Sequence, residues 1–150
     1  MSELTMILMV GPPASGKSTF GEKYAKEHGM VYISTDKIRG EIGKSEDDQR
    51  VSPVAFIIAR KRVMEALSIG KSVLIDSTAI DPAIRKSWIK MGRDYNAYIV
   101  AFAFEIDRKE LIRRDNERER KVGEEVIDRF LDQYIRPTEQ EVDKVVINPK

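Results

Sequence analysis

Cysteine is absent from this chain of 150 residues and histidine occurs once, as His28. The two absences remove disulfides, thiolate nucleophiles, cysteine-ligated zinc and histidine-built metal sites. Charge of one sign is lacking as well: 26 Lys and Arg stand against 25 Asp and Glu, a net of +1, so the molecule as a whole is no magnet for polyanions. No apolar run reaches the ~18–20 residues of a membrane span, and residues 1–5 have neither the basic start nor the apolar stretch of a secretory leader. No membrane partner is expected, and the cytoplasm is the expected compartment. What is present, 41% hydrophobic and 34% charged residues with 9 Gly and 6 Pro, is the composition of an ordinary globular chain. Its length predicts one domain over residues 1–150, burying roughly two-thirds of its unfolded surface. Chemistry is left to carboxylates, hydroxyls, lysine and arginine.

No internal repeat, low-complexity tract or linker interrupts the chain, and short apolar runs alternate with amphipathic stretches. Leu4 to Val10 is an apolar run ending at Gly11, and Lys17 to His28 reads as a helix stopped by Gly29. Met30 to Ser34 is a second strand and Thr35 to Ile42 a short helix. Ser52, with Pro53 after it, is the expected cap of a longer helix whose apolar face carries Phe56, Ala59, Val63, Ala66 and Leu67. Ser72 to Asp76 is a third strand. Asp81 and Pro82 open another helix with the stripe Ile84, Trp88, Met91 and Tyr95. Ala97 to Phe104 is apolar without alternation, as a strand covered on both faces must be. A charged helix is expected from Asp107 to about Arg120, an amphipathic one from Glu124 to Ile135, and a last strand at Lys144 to Ile147. Five strands separated by helices predict an α/β fold, a parallel sheet with helices on both faces.

Gly11-Pro12-Pro13-Ala14-Ser15-Gly16-Lys17-Ser18 matches the P-loop pattern G-x-x-x-x-G-K-[ST], and it lies between a predicted strand and a predicted helix as the mechanism requires. Gly11 opens the turn. The backbone N–H groups of Ala14, Ser15, Gly16, Lys17, Ser18 and Thr19 are expected to face phosphate, helped by the partial positive charge of a helix start. Lys17 is expected on the outer phosphates and Ser18 on Mg²⁺, the ligand being ATP or another nucleoside triphosphate. Asp76, closing Val73-Leu74-Ile75, is the candidate carboxylate for a nucleotide, metal or acceptor role.

Ser34-Thr35-Asp36-Lys37-Ile38-Arg39 follows the second strand, where the sheet's carboxyl edge faces the P-loop cleft. Asp36 and Arg39, three apart, fall on one helix face, so the carboxylate can orient an attacking hydroxyl while the guanidinium grips a neighbouring phosphate. Residues 107–121 hold seven basic and five acidic side chains. Arg114 and Arg118, four apart, repel unless an anion lies against them, which makes this stretch a candidate lid over approximately residues 107–123. Arg118 is the first choice for stabilising the transferred phosphoryl group, with Arg114, Arg120 and Lys121 as substitutes. Glu110 and Glu117 offer the ordinary alternative of a solvated, self-paired helix. Arg60, Lys61 and Arg62, with Arg50, are candidates for guiding a nucleic-acid strand.

Together GPPASGKST, ISTDKIRG, DDQRVSP, VLIDST and LIRRDNERER resemble the P-loop kinase module of the polynucleotide 5′-hydroxyl kinase family, found in phage and bacterial end-repair enzymes, over nearly the whole chain. The resemblance implies a P-loop kinase fold with an arginine-rich lid, and transfer of the γ-phosphate of ATP to the 5′-hydroxyl of RNA or DNA. It implies Lys17 and Ser18 on ATP and Mg²⁺, Asp36 as general base, Arg39 on the acceptor phosphate, and Arg118 or a neighbour on the transferring group. It also implies acceptor contacts near Gln49, Arg50, Val51, Asp76 and Thr78. Ala14 stands where many relatives have glycine, and Ala79 where many have asparagine. No D-x-D-G-T phosphatase motif or ligase module occurs, so a 3′-phosphatase or ligase would be a separate partner. Two other readings use the same P-loop: a kinase of a small hydroxylated metabolite, nucleoside or antibiotic, and a non-catalytic NTP-binding interaction module.

Overall fold

The computed structural model describes residues 3–46, 49–77 and 79–150, with Gln49 described by its backbone alone. Its five strands are β1 (Thr5–Val10), β2 (Val31–Ser34), β3 (Val73–Asp76), β4 (Tyr98–Ala103) and β5 (Lys144–Ile147), and its helices are α1 (Lys17–Glu27), α2 (Thr35–Ile42), α3 (Ser52–Ser68), α4 (Pro82–Asp94), α5 (Arg108–Asn116) and α6 (Glu124–Gln133). The strands form one parallel sheet in the order β2-β3-β1-β4-β5. The α/β expectation therefore holds, with β1 at the centre.

Period-two alternation sends successive side chains of each strand to opposite faces, and both faces are covered. Met6, Leu8, Val73, Ile75, Ile99 and Ala101 pack with Ala59 and Val63 of α3 and Trp88 of α4. On the other face Ile7, Met9, Leu74, Val100 and Phe102 pack against Ala25, Phe20 and Tyr24 of α1. Phe20 and Tyr24 meet Phe102 edge-on, with ring centroids 5.9 and 5.1 Å away. This double coverage is why β4 reads as a continuous apolar run.

Helix boundaries follow the capping chemistry. Asp107 accepts from the backbone N–H of Glu110 at 3.0 Å and Asp81 from that of Ile84 at 2.9 Å, so both start their helices as carboxylate caps do. Four expectations are corrected. The α3 cap is Val51, and Ser52 is already helical with no side-chain cap bond. Ile84 lies at the solvent edge of its stripe while Trp88 and Met91 are core. The helix expected to reach Arg120 ends at Asn116, because the buried Asp115 carboxylate takes the N–H groups of Val122 and Gly123 at 3.0 and 2.9 Å and turns the chain back. Finally α6 stops at Gln133, leaving Ile135 53% exposed.

Candidate active site

The C-terminal ends of β1, β2 and β3 come level in the sheet, since Asp76 pairs in register with Met9 on one side and Ser34 on the other. Three functional segments thereby start from one edge. From β1 the chain enters the P-loop, where Ala14 and Gly16 take positive φ angles of 67° and 85°. Glycine does this freely, whereas alanine in the left-handed region costs ~1–2 kcal/mol, strain held by the surrounding loop. Gly11 leaves little room for a side chain, because a Cβ there would sit 3.0 Å from the Phe104 Cβ and a neighbour would have to give way. The first intrahelical bond of α1 runs from the Phe20 N–H to the Gly16 carbonyl at 3.1 Å. The preceding N–H groups of Lys17, Ser18 and Thr19 thus form the open helix start, and no side chain caps it. Ser15 Oγ is buried and has no hydrogen-bond partner among the described residues. A loop with this donor set and this orphaned hydroxyl fits an anionic phosphate chain.

Beneath the loop, Lys17 Nζ lies 3.0 Å from Asp76 Oδ1, and the Tyr32 hydroxyl donates to Asp76 Oδ2 at 2.5 Å. Burial pushes the Asp76 carboxyl up, but the Lys17 charge and hydrogen bonds from Ser18, Tyr32 and Lys17 outweigh it and hold the carboxyl below its ordinary value. The same arrangement, burial first and the Asp76 charge second, pushes the Tyr32 phenol up. From β2, Ser34 caps α2 by accepting the Lys37 N–H at 3.2 Å. The next turn presents Asp36, 56% exposed, paired with Arg39, 12% exposed; Arg39 Nε also donates to the Glu46 carbonyl at 2.9 Å.

The segment expected to be a lid, α5 and the turn after it, borders the third side. Arg114 Nη1 donates to the Ser15 carbonyl at 3.0 Å and its Nε to Glu110 at 3.0 Å, so α5 is fastened to the P-loop. Hydrogen bonds from Arg113 and then Arg114 lower the Glu110 carboxyl to about 2. Arg118 lies past the end of α5, 3.6 Å from Asp115. Residues Gly11 to Thr19, Asp36, Arg39, Glu46, the lid cations Arg114, Arg118, Arg120 and Lys121, and Val122, Val126, Arg129 and Phe130 line one cavity of about 790 Å³.

A family model described as an AAA domain matches residues 6–137. The chain belongs to this family. This AAA domain is 32% identical over 91 residues to a bifunctional polynucleotide phosphatase/kinase of Acanthamoeba polyphaga mimivirus, a match covering 61% of the chain and 18% of the relative. Among solved structures, a chain of the Pnkp1/Rnl/Hen1 RNA repair complex superposes with a TM-score of 0.75 at 21% identity, over 89% of this chain and 45% of that one. A gluconokinase from Sinorhizobium meliloti 1021 superposes with a TM-score of 0.67 at 16% identity, over all of this chain and 86% of that one. The fold is that of P-loop kinases. The chain spans less than half the length of its polynucleotide-related relatives and most of the gluconokinase.

The AAA domain brings the P-loop residues Gly11, Ala14, Ser15, Gly16, Lys17, Ser18 and Thr19 together with Asp36, Arg39, Arg114 and Arg118 in one wall system. Asp76 is placed under the loop instead of in that wall. Arg50 and Val51, in a 3-10 turn at Gln49–Val51, are not lining residues either. Thr78 and the Gln49 side chain, as well as Asp47 and Asp48, lie outside the described residues. Arg60, Lys61 and Arg62 are away from the cavity, Arg62 pairing with Glu41 at 2.9 Å. Sequence reasoning missed Tyr32, Glu46 and Arg129. Arg129 had a signal, since it sits three residues after Val126 and directly before Phe130 on the α6 face that lines the cavity.

Proposed function

We propose that this AAA domain is an ATP-dependent kinase that phosphorylates the 5′-hydroxyl end of RNA or DNA. The observation that carries the reading is one cavity shared by the P-loop, the Asp36–Arg39 pair and the lid arginines. The mimivirus phosphatase/kinase and the RNA repair complex support this acceptor class. The open α1 start and the Ser15 hydroxyl suit the triphosphate of the donor substrate. Ser18, hydrogen-bonded to a buried carboxylate, suits magnesium. No three His, Cys, Asp or Glu side chains gather as a metal cage among the described residues, so Ser18 and phosphate oxygens would hold the ion, with Asp76 behind them. Bound there, magnesium supplies charge neutralisation of the phosphate oxygens.

Lys17 lies at the helix start, where its ammonium reaches the outer phosphates. Asp36 orients the 5′-hydroxyl and accepts its proton as the oxygen bonds to the γ-phosphorus; the bond to the β–γ bridging oxygen breaks and ADP leaves with that electron pair. Arg39 fixes the Asp36 carboxylate and carries positive charge to the acceptor phosphate. Arg114 fastens the lid, leaving Arg118 to face the transferring group. Loose phosphoryl transfer needs aim and charge before it needs a strong base, which an aspartate can satisfy.

The test is label transfer from γ-labelled ATP to matched 5′-hydroxyl RNA and DNA oligonucleotides. Lys17→Ala and Asp36→Ala are expected to lose ~10²–10⁴-fold in kcat/KM, and Arg118→Ala ~10²-fold or more. A second reading, a kinase of a small hydroxylated metabolite, is favoured by the near full-length superposition on gluconokinase. Transfer to gluconate, sugars or nucleosides with none to oligonucleotides would establish it. ATP binding without transfer to any acceptor would point to the binding module.

A further inference from the structure

A second cavity, of about 370 Å³, adjoins the phosphate site, sharing Pro12 and Phe130 with it. Its size lies in the ~300–1,000 Å³ range of small-molecule pockets. The helix that forms one side, α6, has an apolar stripe that reads as core, yet Ile127 is its only buried residue. Phe130, Leu131 and Tyr134 instead border this space, together with Phe104 and Ile80. We propose that this cavity seats the base of the second nucleotide of the acceptor strand, an inference that rests on the polynucleotide reading above.

Position selects the acceptor over the donor. The cavity touches the P-loop at Pro12 and at none of Ser15 to Thr19. In a P-loop the inner phosphates lie toward the Ser/Thr end, and the lysine reaches the outer ones. A space at the opposite end of the loop is therefore beyond the transferred phosphate, on the side from which the hydroxyl arrives.

Chemistry selects a base. Three aromatic rings and aliphatic walls present flat apolar surface, on which any nucleobase stacks. One polar group is fixed among them: Glu105 accepts from the Tyr134 hydroxyl at 2.6 Å and from Arg136 Nε and Nη2 at 2.7 and 2.5 Å. Asn148 pins the same residue by its backbone, accepting the Glu105 N–H at 2.7 Å and donating to its carbonyl at 3.0 Å. A carboxylate so restrained is a placed acceptor for an amino or imino edge. Charge selects a strand. Arg129 lines the phosphate cavity and Arg136 the second one, with Phe130 belonging to both. A guanidinium thus stands on each side of Phe130, that of Arg136 already paired with Glu105, where a phosphodiester linkage joining the two cavities would run.

Abasic substitution at the second nucleotide of a 5′-hydroxyl oligonucleotide tests this with the wild-type chain. Loss of the base is expected to lower kcat/KM roughly ten-fold or more relative to the intact oligonucleotide. An abasic third position should cost far less. Leu131→Trp, which fills the cavity, should label intact and abasic substrates alike with an unchanged KM for ATP; Tyr134→Phe, which keeps the ring and removes one of the three side-chain hydrogen bonds on Glu105, should retain the stacking preference and weaken discrimination among bases. Equal labelling of intact and abasic oligonucleotides by the wild type overturns the inference and leaves the kinase reading intact. Absence of label on every oligonucleotide overturns the polynucleotide reading, and the inference falls with it.

Discussion

Asp76 is tied to partners from two other parts of the sheet edge, Lys17 after β1 and Tyr32 in β2. As the only carboxylate directly paired with the P-loop lysine among the described residues, it sets the resting position of that ammonium. Its lowered pKa makes this pairing a pH-dependent source of stability. The unfolded-state value is about 3.9 and the folded value is lower, so the contribution is complete above the former and lost as pH falls through the latter. Asp76→Asn should therefore lower stability by ~1–3 kcal/mol near neutral pH. The difference from wild type should shrink below about pH 4. Urea midpoints of both proteins between neutral pH and pH 3 measure it, and a gap of constant size across that range contradicts the assignment. A strand-end aspartate was legible as a functional candidate from Val73-Leu74-Ile75-Asp76 only because a P-loop precedes it in the chain. Its tyrosine partner was not, because Tyr32 lies 44 residues away and only the register of β2 with β3 joins them.

Elements whose boundaries depend on local chemistry were legible, and those shaped by contacts across the fold were not. The β1 strand, P-loop and α1 form one contiguous segment with its own glycines and helix start, and α4 carries its Asp81-Pro82 opening. In contrast, nothing in the charge pattern of residues 107–121 announces that Asp115 is buried and gathers the two N–H groups beyond the turn. Periodicity likewise located the apolar face of α6 without saying whether protein or a cavity lies opposite. The lid turn is consequently predicted to depend on Asp115. Replacing Asp115 with Ala removes the acceptor of both N–H groups and one partner of Arg118, at a cost of ~1–3 kcal/mol for the groups left unsatisfied. Amide exchange at residues 117–123 should accelerate more than exchange in β1 and β4, with kcat falling as Arg118 loses its anchor. Uniform acceleration over the whole chain would instead mean that Asp115 supports the fold and not the lid.

Over the whole molecule, near-neutral charge conceals a strongly uneven distribution. The net is +1, while the main cavity is lined by Lys17, Arg39, Arg129 and four lid cations against Asp36 and Glu46. A concave wall in which cations outnumber carboxylates focuses its field inward, so the site attracts anions that the molecular surface does not. Sequence arithmetic could not reveal this, because it does not separate cavity cations from acids paired on the exterior, such as Glu41 with Arg62 and Asp128 with Arg108. The distribution predicts a short electrostatic footprint for the acceptor. Single-stranded nucleic acid gives a log–log salt slope of about −0.7 per neutralised phosphate. Two or three linkages, near Arg39, Arg129 and Arg136, then give a slope of about −1.4 to −2 in kcat/KM for a 5′-hydroxyl decamer between about 50 and 200 mM salt, with ATP and magnesium saturating. Arg129→Ala should reduce the magnitude of that slope by about 0.7 without changing the KM for ATP. A slope near zero would show that the acceptor carries no phosphate into the cavity, and one steeper than about −4 would require a strand path far longer than the two adjoining cavities can contain.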